Sequence, residues 1–246
     1  MIAARISLAF LTAALCCAAA PETIVKDGVR FFVWKAKAED VRIVWKDPGG
    51  KQLRDFPATK AYLEGKGEKP LMLMNGGIFE PGGVPSGVMV QEGKQLLPLN
   101  LRDGKGNFFL KPNGVFLISE KGARVMEAGK YPPKGEKILY AVQSGPMLLE
   151  DGKTHPAFNA GSKSRLLRNG VGVAKDGTVI FAISDGKSDK WPNLHGFADL
   201  FRSLGCENAL FLDGDISQMR FGENLGKQSN QFGSVIAVVE EVKSAE

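Results

Sequence analysis

The chain has 246 residues, 43% of them hydrophobic, with 30 glycines, 13 prolines and a formal net charge of +5. That apolar content supports one domain with a substantial core and excludes a disordered or low-complexity chain. Lys and Arg are spread along the sequence rather than clustered, which excludes a nucleic-acid-binding arm, and Cys206 as the only cysteine beyond residue 20 excludes a disulfide scaffold.

Residues 1–20 carry one positive charge, Arg5, then a largely apolar run from Ile6 to Cys17 and the small triplet Ala18-Ala19-Ala20. The run is shorter than the roughly 20 apolar residues needed to span a bilayer, and it reads as a secretory signal cleaved after Ala20. The expected mature protein, residues 21–246, is exported (periplasmic or secreted) and has no stable membrane insertion. A lipid-anchored form is the rival; it requires a small residue directly before the modified cysteine, whereas Cys16 follows Leu15 and Cys17 follows Cys16.

Short apolar runs broken by turn dipeptides predict a strand-rich α+β fold, a mixed or antiparallel sheet core with a few helices packed on it. Ile24–Trp34, interrupted at Asp27-Gly28, and Val41–Trp45 are the opening strands, and Ala58–Gly65 is a short helix. Leu71–Met74 is a buried strand ending in Asn75-Gly76-Gly77. Phe108–Leu110 and Val115–Ser119 are read as a hairpin across Asn113-Gly114, because Asn-Gly suits a type I′ turn, with a third strand after Lys121-Gly122. Gly170–Ala174 and Thr178–Ser184 form a second hairpin across Asp176-Gly177. Leu194, Phe197, Leu200, Phe201 and Leu204 repeat at helical spacing, with Asn193 to cap the helix and Gly205 to end it. The strands Ala209–Leu212 and Ser234–Val242 follow. No repeat or linker divides the chain.

Four segments place polar residues where a strand gives way to glycine, which lets a ligand approach the main chain. Asn75-Gly76-Gly77 is followed by Glu80 and a glycine-rich stretch from Gly82 to Gly87. Ser144-Gly145-Pro146 lacks the strand-to-helix turn of a nucleophile elbow, so Ser144 is read as a ligand contact or turn residue. Arg168-Asn169-Gly170 leads into the hairpin that ends in Ser184-Asp185-Gly186, and the rigid arginine fork suits phosphate. Ala209–Leu212 delivers Asp213, Gly214, Asp215 and Ser217 at a strand end, a usual way to place a catalytic carboxylate. Asp213 and Asp215 are close enough in sequence to hold a hard cation such as calcium, although two carboxylates fall short of a complete site.

Taken in order, Asn-Gly-Gly-x-Phe, Ser-Gly-Pro, Arg-Asn-x-Val-Gly-Val, Asp-Gly, a helix and Asn-Ala-Leu-x-Leu-Asp-Gly resemble the phosphodiester glycosidase family over about residues 70–239. The resemblance implies cleavage of a sugar 1-phosphodiester or an envelope glycan, without a required cofactor. It also marks one departure: the family's best-known member has Asp-Gly-Gly-Gly-Ser where this chain has Asp213-Gly214-Asp215-Ile216-Ser217. On this basis Asp213 is the expected base or nucleophile, Asp185 the second carboxylate and Glu80 the reserve acid. Arg168 and the amides of Gly76 and Gly77 are the expected phosphate site, and Asn75 and Ser144 orient the sugar. Gly145, Asn169, Gly214 and Ser217 complete the substrate- and phosphate-binding set, with His195 read either as an acid or phosphate ligand or as a capping or surface residue. A metal-assisted phosphodiesterase and a non-catalytic envelope polysaccharide binder are the alternatives.

Overall fold

A computed structural model of the protein describes residues 20–242; the expected secretory signal lies outside the described residues apart from Ala20. The chain opens with β1 (Glu22–Lys26), β2 (Val29–Ala36), β3 (Val41–Val44), α1 (Phe56–Glu64) and β4 (Glu68–Asn75). It continues through β5 (Phe79–Glu80), β6 (Val84–Pro85), β7 (Met89–Gln91), β8 (Lys94–Leu97), β9 (Gly114–Ser119), β10 (Gly122–Glu127), β11 (Ile138–Ser144), β12 (Met147–Glu150) and β13 (Lys153–Thr154). It closes with β14 (Asn169–Ala174), β15 (Val179–Ser184), α2 (Leu194–Ser203), β16 (Cys206–Asp213), β17 (Met219–Phe221) and β18 (Val235–Glu241).

Three antiparallel sheets result: β1-β2-β15-β14-β16-β12-β13, β10-β9-β11-β7-β8 and β17-β4-β18-β3, with β5 and β6 as a small ribbon. Alternation within the strands explains how they share one interior. In β15, Val179, Phe181 and Ile183 face a central core, while Ile180 and Ala182 face the helix side. In β16, Leu210 and Leu212 join the same central core and Ala209 and Phe211 the helix side. Met72 and Met74 of β4, Ile236 and Val238 of β18, and Phe116 and Ile118 of β9 fill the central core from the other two sheets. A strand buried on both faces is what an unbroken run such as Val179–Ser184 requires, since each alternate residue needs an apolar neighbour.

The amphipathic helix α2 covers the outer face of the seven-stranded sheet through Phe197, Leu200 and Phe201. Its seat is made by Gly170 and Gly172 of β14. A β-carbon on Gly170 would lie 2.8 Å from the Leu210 carbonyl oxygen and 3.1 Å from Phe197, and one on Gly172 2.8 Å from Phe201. The Gly-Val-Gly-Val pattern therefore presents bare backbone to the helix and valines to the core. Cys206 is buried beside Gly172, and burial pushes its thiol up to about 12, consistent with an apolar packing role. Asn193 caps α2 by accepting from the Gly196 N–H at 2.8 Å, and its side-chain amide donates to the carbonyls of Ala160 (2.9 Å) and Ser162 (3.1 Å). Replacing it with alanine removes the cap and both loop ties. The expected cost is about 2 kcal/mol, read as a lower midpoint in thermal or urea unfolding.

Most expected elements are present within a residue or two, and both Asp27-Gly28 and Asp176-Gly177 are turns. The hairpin at Asn113-Gly114 is not. Phe108 and Phe109 lie in a short 3-10 turn, and the hairpin joins β9 to β10 across Glu120-Lys121, with Gly122 at φ 101°. Asn113 is buried and its amide donates to the Phe108 carbonyl at 2.9 Å. Gly114 serves close packing, because a β-carbon there would lie 3.0 Å from the Met126 carbonyl oxygen. Close packing and a turn select the same dipeptide, which is why the local signal misled.

Candidate active site

β4 ends at Asn75, β11 at Ser144 and β16 at Asp213, while β14 begins at Asn169 opposite Asp213. Their polar ends meet where the three sheets adjoin. The Asn75 amide donates to Asp213 Oδ2 at 3.0 Å. Asn169 donates to the Asn75 side-chain oxygen at 3.1 Å and to its main-chain carbonyl at 2.9 Å. Ser217 Oγ donates to Asn169 Oδ1 at 3.1 Å, and the Gln218 N–H donates to Asn75 Oδ1 at 2.9 Å. Asn75 and Asn169 are thus buried with their functional atoms aimed by one another.

Asp213 remains partly exposed at the edge of this network, and the Gly214 N–H donates to its Oδ1 at 2.8 Å. Burial raises its carboxyl to about 6, with the charge of Asp215 adding to the rise, while the Gly214 and Asn75 hydrogen bonds oppose it. Such a carboxylate is poised to exchange a proton near neutrality. In the folded protein the protonated form is favoured relative to the unfolded chain, so ionising Asp213 lowers stability as pH rises from about 4 to about 6.

Beside the network lies an open cleft of about 740 Å³, bordered by β2, the end of β15 and residues 217–228. Ser217 and Gln218 belong to both the cleft and the Asp213 network. Asp185 lines the cleft as well. Its Oδ2 accepts from Arg30 at 3.1 Å and its Oδ1 from the Lys187 N–H at 2.9 Å, so the carboxylate shapes the turn after β15.

Other expected residues do not line the cleft. Ser144 Oγ is buried, donates to the Leu212 carbonyl at 2.9 Å and accepts from the Ile78 N–H at 3.2 Å; its hydroxyl is committed to joining two strand ends. A β-carbon on Gly145 would lie 2.6 Å from Asn113, so that glycine serves packing. The Gly76 N–H donates to the Ser234 carbonyl at 2.8 Å and does not face a ligand. Gly77 is required by contact, because an added β-carbon would lie 2.8 Å from the Gln143 carbonyl oxygen and 3.0 Å from Ser144. Gly77→Ala is expected to destabilise the protein by about 1–3 kcal/mol, measured by urea unfolding, because main-chain atoms cannot step aside as a flexible side chain can. Glu80 is exposed and accepts from Ser86 Oγ at 2.8 Å, outside both network and cleft.

Arg168 departs most from expectation. It is only 2% exposed, its Nε donates to the Pro192 carbonyl and its Nη2 to the Ser164 carbonyl, each at 3.1 Å, and it lies 5.6 Å above the Phe211 ring. Burial lowers it to about 10, against the opposing charge of Asp215. With His195 and Ser164 it lines a separate cavity of about 150 Å³ at the start of α2, so it does not share the cleft beside Asp213. His195 Nδ1 faces Asp199 at 3.2 Å. As for a cation, both Asp213 oxygens already accept hydrogen bonds, Asp215 is exposed, and among the described residues no three His, Cys, Asp or Glu side chains gather as metal donors. The Asp213–Asp215 pair therefore lacks a third donor of that kind.

Gln218, Lys187 and Arg220 escaped the sequence reading. Lys187 carried a usable signal, since it follows the Ser184-Asp185-Gly186 strand end; Arg220 lies in a strand with none.

Residues 69–239 match the family model described as phosphodiester glycosidase. The Escherichia coli (strain K12) protein YigE, uncharacterized, is 34% identical over 211 residues, covering 85% of this chain and 80% of YigE. Among solved structures, the fold is similar to the zebrafish N-acetylglucosamine-1-phosphodiester alpha-N-acetylglucosaminidase catalytic domain auto-inhibited by its pro-peptide. That match has a TM-score of 0.65 at 18% identity and covers 89% of this chain and 81% of the zebrafish chain. A protein from Burkholderia pseudomallei K96243 described as exported has a TM-score of 0.56 at 12% identity, over 86% of this chain and 74% of its own. No helix among the described residues is long and apolar enough to cross a membrane. With its ordered motifs, its three-sheet fold and a family match across most of its length, the chain belongs to the phosphodiester glycosidase family.

Proposed function

We propose that this protein hydrolyses the glycosidic bond of a sugar 1-phosphodiester in the cell envelope, releasing free sugar and a phosphomonoester. The carrying observation is Asp213: partly exposed, aimed by Asn75, raised to about 6 and adjoining an open cleft through Ser217. In the reaction the bond between the anomeric carbon and the phosphate oxygen breaks, water supplies the hydroxyl to the sugar, and the phosphomonoester leaves. Phosphate is a stable leaving group and needs little protonation, so one ionised carboxylate acting as base or nucleophile carries most of the chemistry. Asp213 takes that role, Asn75 and Asn169 hold it, and Asp185 is the second carboxylate on the cleft side. Arg168 supports the 162–168 segment and Pro192 from the helix side rather than gripping the phosphate. The fold likeness to a Burkholderia protein described as exported and the apolar residues 6–17 support the envelope setting.

The test is turnover of a panel of sugar 1-phosphodiesters in water enriched in oxygen-18, with products identified by mass. Label in the free sugar is the expected result. Label in a phosphate product, with sugar phosphate and free alcohol released, overturns the reading in favour of a phosphodiesterase. Ligand bound but unchanged after long incubation overturns it in favour of a binding protein.

A further inference from the structure

We propose that the cleft beside Ser217 is a subsite for a leaving group that carries further phosphodiester charges, a polyol- or sugar-phosphate chain rather than a neutral glycan. This rests on the glycosidase reading and names the substrate class it would serve.

Four basic side chains, Arg30, Lys187, Arg220 and Lys227, line the cleft against the single carboxylate of Asp185. Arg30 satisfies that carboxylate at 3.1 Å. The other three form no ion pair within 4 Å among the described residues, so the lining carries more positive than negative charge. A protein with only a modest excess of positive charge has thus concentrated three uncompensated cations in one concavity, next to its candidate catalytic carboxylate.

The cations are also positioned. Arg220 is half-buried on β17, which pairs with β4 opposite Leu73, and its Nη1 donates to the Met219 carbonyl at 3.2 Å. The turn bearing Lys187 is fixed by its own N–H on Asp185. Beneath them lies an apolar floor of Phe32, Ile183, Met219 and Phe221, whose low dielectric response leaves the field of the cations less screened than on an open surface. Amide side chains at Gln218, Asn224 and Gln228 supply donors and acceptors for hydroxyl groups. Repeated phosphates separated by hydroxylated units match that alternation of cation and amide. Nucleic acid matches less well, because the half-buried Phe32 and Phe221 pack against each other at 6.3 Å with their rings tilted by 57°, rather than standing out as separate stacking platforms for successive bases.

The experiment measures binding separately from turnover. Fluorescently labelled poly(glycerol phosphate), a neutral dextran of similar length and single-stranded DNA are titrated by anisotropy against Asp213→Asn protein, at low and high salt. Poly(glycerol phosphate) is expected to bind more tightly than either comparison, with affinity falling as salt rises. Adding Lys187→Gln, Arg220→Gln and Lys227→Gln together should weaken that binding about tenfold or more, from the loss of three charge contacts. Adding Lys105→Gln, Lys134→Gln and Lys153→Gln, an equal charge change on exposed positions outside the cleft, should not. Lys187→Gln alone, at an exposed position, should show a smaller loss in the same direction. Equal losses in the two triple variants, DNA bound as tightly, or no preference over dextran would each overturn the proposal. Wild-type protein that binds the polymer yet turns over no sugar 1-phosphodiester would overturn the catalytic reading alone.

Discussion

Asp213→Asn is expected to lower turnover of a sugar 1-phosphodiester roughly 10³-fold, the usual scale for removing a positioned acid or base. The folded protein should survive. Asparagine matches aspartate in shape, and although it can accept only one of the two hydrogen bonds from Asn75 and Gly214, it removes a charge that burial disfavours. The two effects act in opposite directions, and pH separates them. In the wild type, ionisation of Asp213 lowers stability between about pH 4 and about pH 6; the variant has no such dependence, so its stability relative to wild type should improve across that window. Activity has the complementary signature. A base or nucleophile must be ionised, so wild-type kcat/KM should rise with pH through a limb near 6 and then level off. A limb near 4 would mean that burial does not raise Asp213 in the free enzyme, because kcat/KM reports ionisations of the free enzyme. Full activity in the variant would remove Asp213 from the chemistry altogether.

What could be read in the sequence divides along a physical line. β15, α2 and β16 were legible because their patterns are local: Val179–Ser184 is too short and too β-branched for a helix, α2 carries its own cap and stop, and Ala209–Leu212 runs straight into Asp213. Asn75, Asn169 and Asp213 were legible as strand ends, and the fold brings those three together. Arg168 is expected from the sequence to clamp phosphate, whereas the structure buries its guanidinium on the Pro192 and Ser164 carbonyls. Nothing in Arg168-Asn169-Gly170 tells which face of β14 each residue takes; that is settled by Phe197 and Phe201, which need Gly170 beneath them and so place Arg168 over Phe211 on the helix side. Ser144 failed for a related reason. A small polar residue at a strand end serves a ligand or a neighbouring backbone equally well, and here the Leu212 carbonyl and the Ile78 amide claim it. The cleft was invisible because its cations come from three distant parts of the chain, at Arg30, Lys187 and residues 220–227, and only the pairing of β2 with β15 and β17 with β4 assembles them.

Asn75→Ala is expected to have the second large effect, and on two quantities at once. Asn75 is 1% exposed and its side chain makes three hydrogen bonds, one to Asp213, one from Asn169 and one from the Gln218 amide. Truncation leaves the Gln218 N–H without its acceptor and opens a small polar void, at a cost of about 2–4 kcal/mol, visible as a lower unfolding midpoint. Asn169 keeps its bond to the Asn75 main-chain carbonyl, so the strand ends stay registered and the variant should still fold. The diagnostic result lies in the pH profile. The Asn75 hydrogen bond favours the ionised form of Asp213, so its loss should move the limb of kcat/KM above 6 while burial continues to act. A purely structural role for Asn75 would reduce the amount of active protein and leave that limb in place. Asn75→Asp pushes harder in the same direction: a second carboxyl 3 Å from Asp213 makes the pair share a proton, so activity should be lost and stability should fall as pH rises through neutrality. The two variants together separate what Asn75 does for the fold from what it does for the charge on Asp213.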